Sequence, residues 1–189
     1  IFGVIKRIIP KDIPNVDIDI NDRPKRAKVL VLFLSENNGG IEEILKFKTI
    51  DEYGRNNYRM PLKAIDYHKQ RLKKIIVACS EKSHGDREKF LKCVQNLFGK
   101  ELADMTNVRC IKNFEDAKSV YKFLESIYNQ LGQEGFMEDD IVFDVTGGQK
   151  AISIAGAMFA IPNDRHLQYV STSDYTVKHY DLTYMQNEE

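Results

Sequence analysis

Between Ile141 and Ala151 the chain reads IVFDVTGGQKA: an apolar run, one carboxylate, a hydroxyl, two adjacent glycines and a lysine. Asp144 ends what reads as a buried strand, and Thr146, Gly147 and Gly148 turn into a helix whose first backbone N–H groups lack internal partners. Paired glycines let the backbone approach a ligand closely, and the helix dipole favours an anion at that place. Thr146 adds a hydroxyl, Gln149 stands at the helix start, and Lys150 adds a point charge. This is the chemistry of phosphate recognition. It is not a P-loop: no glycine precedes by five, and Ala151 stands where a hydroxyl would hold Mg²⁺, so ATP hydrolysis is not expected. It is not G-x-G-x-x-G either, which disfavours a dinucleotide cofactor. The structural alternative is a tight strand-to-helix turn with Lys150 in solvent.

A second corner, SENNGG at 35–40, places Ser35, Glu36, Asn37 and Asn38 after an apolar run. Ser35, Asn37 and Asn38 are neutral donors and acceptors suited to sugar hydroxyls, base edges or a phosphodiester. Here too a plain turn is the alternative, since Asn tolerates left-handed backbone. Glu36 and Asp144 are the carboxylates near the two corners, and Asp144 reads as an acceptor that fixes its turn, so no obvious general base is present.

These corners need elements to hold them. A chain of 189 residues, 42% hydrophobic and 30% charged, suits one soluble globular domain with short appendages. Lys plus Arg and Asp plus Glu both number 28, so no long-range field for a long polynucleotide is expected and an anionic partner must be gripped locally. Cys79, Cys93 and Cys110 sit in apolar contexts without metal spacing and read as reduced core thiols, and no metal or cofactor is expected. Residues 10–27 hold three of the five prolines and read as an extended connector.

After that connector, strands are expected at Lys28–Leu34, Lys74–Cys79, Val108–Ile111, Asp140–Val145 and Leu167–Ser171, with a half-exposed one in TVKHYDLTY. Helical spacing marks Ile41–Phe47, a start at Pro61, Arg87–Phe98 closed by Gly99, Glu115–Leu131 and Gln149–Ile161. The fold expected is α/β, a Rossmann-like and mainly parallel sheet of about six strands with helices on both faces and the last strand antiparallel. Ligands of such folds sit beyond the carboxyl ends of the strands where the chain order reverses, and this singles out the two corners. Residues 48–60 are polar, and whether they cover that cleft is left open. Tyr169 and Tyr175 are assigned to core or edge packing, with stacking on adenine as the alternative.

The strand ending FLSENNGG and the later DVTGGQK leading into an apolar helix together resemble the CARF family, the CRISPR-associated Rossmann-fold sensor domains, over residues 28–183. The resemblance implies a homodimer or higher homo-oligomer that binds a cyclic oligoadenylate, cyclic tetra-adenylate first and cyclic hexa-adenylate as the alternative, in type III CRISPR antiviral defence. The contacts it implies are Ser35, Asn37, Thr146, Gly147, Gly148 and Lys150, with Glu36, Asn38 and Gln149 beside them. A two-fold dimer can grip a symmetric cyclic phosphodiester with the same loops used twice. The family's HEPN ribonuclease signature is missing, since no His has an Arg five to seven residues upstream. Asp116-Ala117-Lys118 matches only the end of a restriction-type motif and reads as a helix start.

Residues 1–27 are expected as an extension and 28–189 as the sensor domain. Ile1, Phe2, Val4 and Ile5 precede Lys6 and Arg7, an order that resembles the cytoplasmic end of a membrane segment as in the small CRISPR-associated membrane proteins. That likeness implies a cytoplasmic domain anchored in an inner membrane. A ring nuclease that cuts its bound ligand is the enzymatic alternative.

Overall fold

Inside the stretch expected to be a connector, Asn15–Asn21 forms a strand (β1). Its polar residues alternate with Val16, Ile18 and Ile20, the period of a strand with two unlike faces. The structure, a computed structural model, describes residues 15–21, 24–37, 39–161 and 164–185. The segment 1–7 and the candidate residue Asn38 therefore lie outside the described residues.

The remaining strands are Val29–Leu34 (β2), Lys74–Cys79 (β3), Thr106–Cys110 (β4), Ile141–Asp144 (β5), His166–Val170 (β6) and Val177–Met185 (β7). They form one seven-stranded sheet in the order β1-β7-β6-β5-β2-β3-β4. The pairs from β4 across to β6 are parallel, and β7 runs antiparallel to both β6 and β1. The α/β sheet expected is thus present with one strand more, β1, which adds to the edge of β7.

Helices are Ile41–Ile44 (α1), Arg59–His68 (α2), Arg87–Phe98 (α3), Lys100–Asp104 (α4), Ala117–Gln133 (α5) and Lys150–Phe159 (α6). The first is a single turn, shorter than the pattern to Phe47 implied. The second begins two residues before Pro61, whose missing N–H costs nothing in a first turn that has no internal acceptor.

The uninterrupted apolar run of β2 is explained by cover on both sides. Leu30, Leu32 and Leu34 pack with Leu62, Ile65 and Phe90 of α2 and α3, while Val29, Val31 and Phe33 pack with Leu124, Ile152 and Phe159 of α5 and α6. Small residues bring α6 close to the sheet: a Cβ at Gly156 would lie 2.7 Å from Val145 Cγ1 and 3.0 Å from Phe143 Cε2. Cys79 and Cys93 are buried free thiols, but Cys110 is exposed, because β4 is an edge strand with little cover. No helix among the described residues is long and apolar enough to cross a membrane.

Candidate functional site

β2 has β3 and β4 on one side, and β5 has β6 and β7 on the other, so the chain order reverses between β2 and β5. Connections leaving two adjacent parallel strands in opposite directions open a crevice at their carboxyl ends. Both corners leave from that point. They touch: the Gly148 N–H donates to Ser35 Oγ at 2.9 Å. The approach requires glycine, since a Cβ at Gly147 would lie 2.0 Å from the Phe33 carbonyl oxygen, and Gly148 has φ of 89°.

Beneath the corner lies a buried hydrogen-bond chain. Asp144, 2% exposed, accepts from the Thr146 N–H and from Gln168 Nε2, both at 2.8 Å. Gln168 Oε1 lies 2.7 Å from His68 Nε2, and His68 Nδ1 accepts from the Ala27 N–H at 2.9 Å. A backbone N–H only donates, so His68 is neutral, carries its proton on Nε2 and gives that hydrogen bond to Gln168. Burial pushes the His68 pKa down to about 4. Burial also raises the Asp144 carboxyl, because its partners Thr146 and Gln168 are uncharged. The Thr146 hydroxyl accepts from the Val170 N–H at 2.7 Å, and the Thr146 side chain also hydrogen-bonds to Asp144, which works against the effect of burial.

The cleft has two lobes that share Ser35 and Asn57. One, of about 540 Å³, is lined by Glu36, Lys82, Lys112, Asn113 and Gln149 with Gly148. The other, of about 380 Å³, is lined by Arg55, Arg59, Thr146, Gly147 and Tyr175. Both volumes fall in the range of roughly 300–1,000 Å³ usual for small-ligand sites. Lys150 lines neither lobe and stands exposed at the start of α6, which no side chain caps.

Asn37 sits differently from its expected role as a ligand contact. It is 6% exposed, donates to Asn56 Oδ1 at 2.6 Å and accepts from the Gly39 N–H at 2.9 Å, so its amide braces the loop. Lys89 ties the same loop through the Asn37 and Gly39 carbonyls at 2.8 and 3.1 Å. Arg55, Asn57, Arg59, Lys82, Lys112 and Asn113 are among the cleft residues that the sequence reading does not single out, and it assigns Tyr175 to packing. Lys82 and Lys112 follow β3 and β4, so the carboxyl-end rule applied to every parallel strand would have found them. Among the described residues no group of three or more His, Cys, Asp or Glu could hold a metal. His68, His166 and His179 line a separate cavity of about 550 Å³ that also involves Ala27, which precedes β2.

No family profile matches the chain. A protein of uncharacterized function from Aquifex aeolicus (strain VF5) is 30% identical over 185 residues, covering 88% of this chain and 59% of that protein. Among solved structures, Can2 from Sulfobacillus thermosulfidooxidans in complex with cyclic tetra-adenylate superposes with a TM-score of 0.54 at 13% identity, over 87% of this chain and 36% of Can2. VC1899 from Vibrio cholerae gives a TM-score of 0.49 at 8% identity, over 79% of this chain and 32% of that one. The chain thus spans about three fifths of the curated relative and about a third of Can2. What the likeness to Can2 establishes is the fold, a Rossmann-like α/β sheet.

Proposed function

We propose that the chain is a cyclic oligoadenylate sensor domain of the CARF family that holds cyclic tetra-adenylate between two copies of itself. The observation that carries this reading is the contact of Ser35 with Gly148 at the switch point, in a fold shared with a protein solved with that ring. The corner offers the ring's phosphodiesters the N–H groups at the start of α6 and the hydroxyl of Ser35, with Thr146 lining the same lobe. Lys150 adds charge at the rim.

Pairing of two chains is supported by α6. Ile154 and Met158, each 57% exposed, lie one turn apart on the side of α6 away from the core, and Ile161, 36% exposed, follows just past the end of the helix. An apolar stripe beginning at the ligand corner suits a second copy of the same helix, and two-fold pairing matches a ring that is itself symmetric. Ile154→Glu is therefore expected to shift the protein from dimer to monomer in analytical ultracentrifugation and to weaken ring binding with it.

The test is calorimetric titration with cyclic tetra-adenylate and, separately, cyclic hexa-adenylate. One tetra-adenylate ring bound per two chains, recovered intact by chromatography, is the expected result. Linear product at multiple turnover would replace the sensor with the ring-nuclease alternative, and binding of neither ring would overturn the proposal. Lys150→Ala is expected to weaken binding by about 1–3 kcal/mol through loss of a charge-assisted phosphate contact. Coupling of this domain to a membrane remains a proposal carried by the apolar-then-basic order of residues 1–7.

A further inference from the structure

Tyr175 occupies a backbone position that bulky residues avoid. Its φ is 59°, in the left-handed region, yet the turn between β6 and β7 fixes it there. The Tyr175 N–H donates to the Ser171 carbonyl at 2.9 Å, and the Ser171 N–H to the Thr176 carbonyl at 2.8 Å. Asp174 accepts from the Thr176 N–H and hydroxyl at 3.0 and 2.7 Å. Held in this way, Tyr175 lines the smaller lobe of the cleft, with the Arg59 guanidinium carbon 3.4 Å from its ring centroid.

Arg59 is equally fixed. It donates to the Gly54 carbonyl at 2.9 Å and to Asp51 at 3.0 Å, and its buried Nε finds no acceptor among the described residues. A planar cation and an aromatic ring thus form one prearranged platform, drawn from α2 and from the β6–β7 turn. Beside it, Asn57 donates its amide to the Glu36 carbonyl at 2.7 Å. Its own carbonyl oxygen accepts no hydrogen bond from the described residues.

Resting on the reading that the cleft takes a cyclic oligoadenylate, we propose that the smaller lobe is its base subsite. An adenine stacks on the Tyr175–Arg59 platform and gives its 6-amino hydrogen bond to Asn57 Oδ1, while the sugar-phosphate passes Ser35 and the Gly147–Gly148 corner. Stacking by itself accepts any base. The Asn57 carbonyl supplies selection, since a base with an oxygen at that position presents an acceptor to an acceptor. This arrangement gives the strained backbone at Tyr175 a purpose, because it holds an aromatic ring in the lobe from a tight turn.

Strain and binding make opposite demands at residue 175, and the test exploits that. Tyr175→Gly removes the ring while placing at φ 59° the residue that tolerates it best. Its expected behaviour is a melting temperature equal to or above that of the parent protein, with affinity for cyclic tetra-adenylate at least about tenfold weaker. Tyr175→Phe, which restores a ring, recovers the affinity lost in the glycine variant. If the parent binds the ring and the glycine variant binds it within about twofold, the base subsite is wrong while the sensor reading stands. A lowered melting temperature in the glycine variant with affinity retained likewise makes Tyr175 a prop for the hairpin and overturns the inference. Failure of the parent protein to bind at all strikes the sensor reading instead.

Discussion

Gly147→Ala is expected to abolish the proposed binding of cyclic tetra-adenylate and to lower the unfolding free energy by about 2–4 kcal/mol, read by calorimetric titration and by urea denaturation. The cause is room and not backbone conformation, because Gly147 is absent from the positive-φ glycines. An added Cβ would lie 2.0 Å from the Phe33 carbonyl oxygen and 3.2 Å from its carbonyl carbon. Those atoms belong to β2, an inner strand whose Phe33 is held in register with Ala78 of β3, and they cannot easily swing aside. The corner must therefore lift away from β2, breaking the Gly148 to Ser35 hydrogen bond that joins the two halves of the cleft. Gly148→Ala differs in kind: its Cβ would meet the end of the Ile152 side chain at 2.1 Å, and its φ of 89° adds backbone strain. An alanine at 147 that binds the ring with unchanged affinity would mean that contact between the corners is dispensable.

The second large effect belongs to the buried chain under the corner. Gln168→Leu leaves the His68 Nε2–H and one Asp144 oxygen without their shared partner at positions that are 0% and 2% exposed, a loss expected at about 2–5 kcal/mol in urea denaturation. The same chain sets an acid limb. His68 titrates near 4 in the folded protein against about 6.5 when unfolded. Its contribution is fully present above pH 6.5 and is lost as pH falls toward 4, amounting to about 3 kcal/mol across that window. Physically, protonation at Nδ1 puts a donor against the Ala27 N–H. Asp144 works in the opposite sense: its raised folded pKa means that the stability it adds is greatest in acid and declines as pH rises through that value. His68→Leu is less stable overall but should show a flatter urea midpoint between pH 7 and 4.5. An acid limb that persists in this variant would place its origin elsewhere.

The sheet's inner strands were legible because they are buried on both faces. KVLVLFL and KIIVAC announce themselves as continuous apolar runs, and the helices between them carry a clear period. β1 was hidden for the converse reason: an edge strand, with Ile18 and Ile20 exposed at 53% and 59%, resembles a polar linker between prolines. The two corners were found through glycines and their place after strands. Arg59 and Tyr175 were not paired, since their meeting depends on a sheet order that brings residues more than a hundred positions apart to one crevice. Gln168 and His68 also carry no local signal, because their importance lies in hydrogen bonds across the interior.

β1 has a bearing on how the protein behaves in crowded solution. Without it, β7 would be the last strand of the sheet, offering up to nine residues of unpaired backbone as a template for another chain. Its seven rungs of pairing cover that template and pass the free edge to NVDIDIN. The sequence of that segment includes two acids, Asp17 and Asp19, and charge along an edge strand disfavours edge-to-edge growth. β1 thus serves as a guard against edge-to-edge association, and confines the pairing proposed for this chain to a face other than the sheet edge.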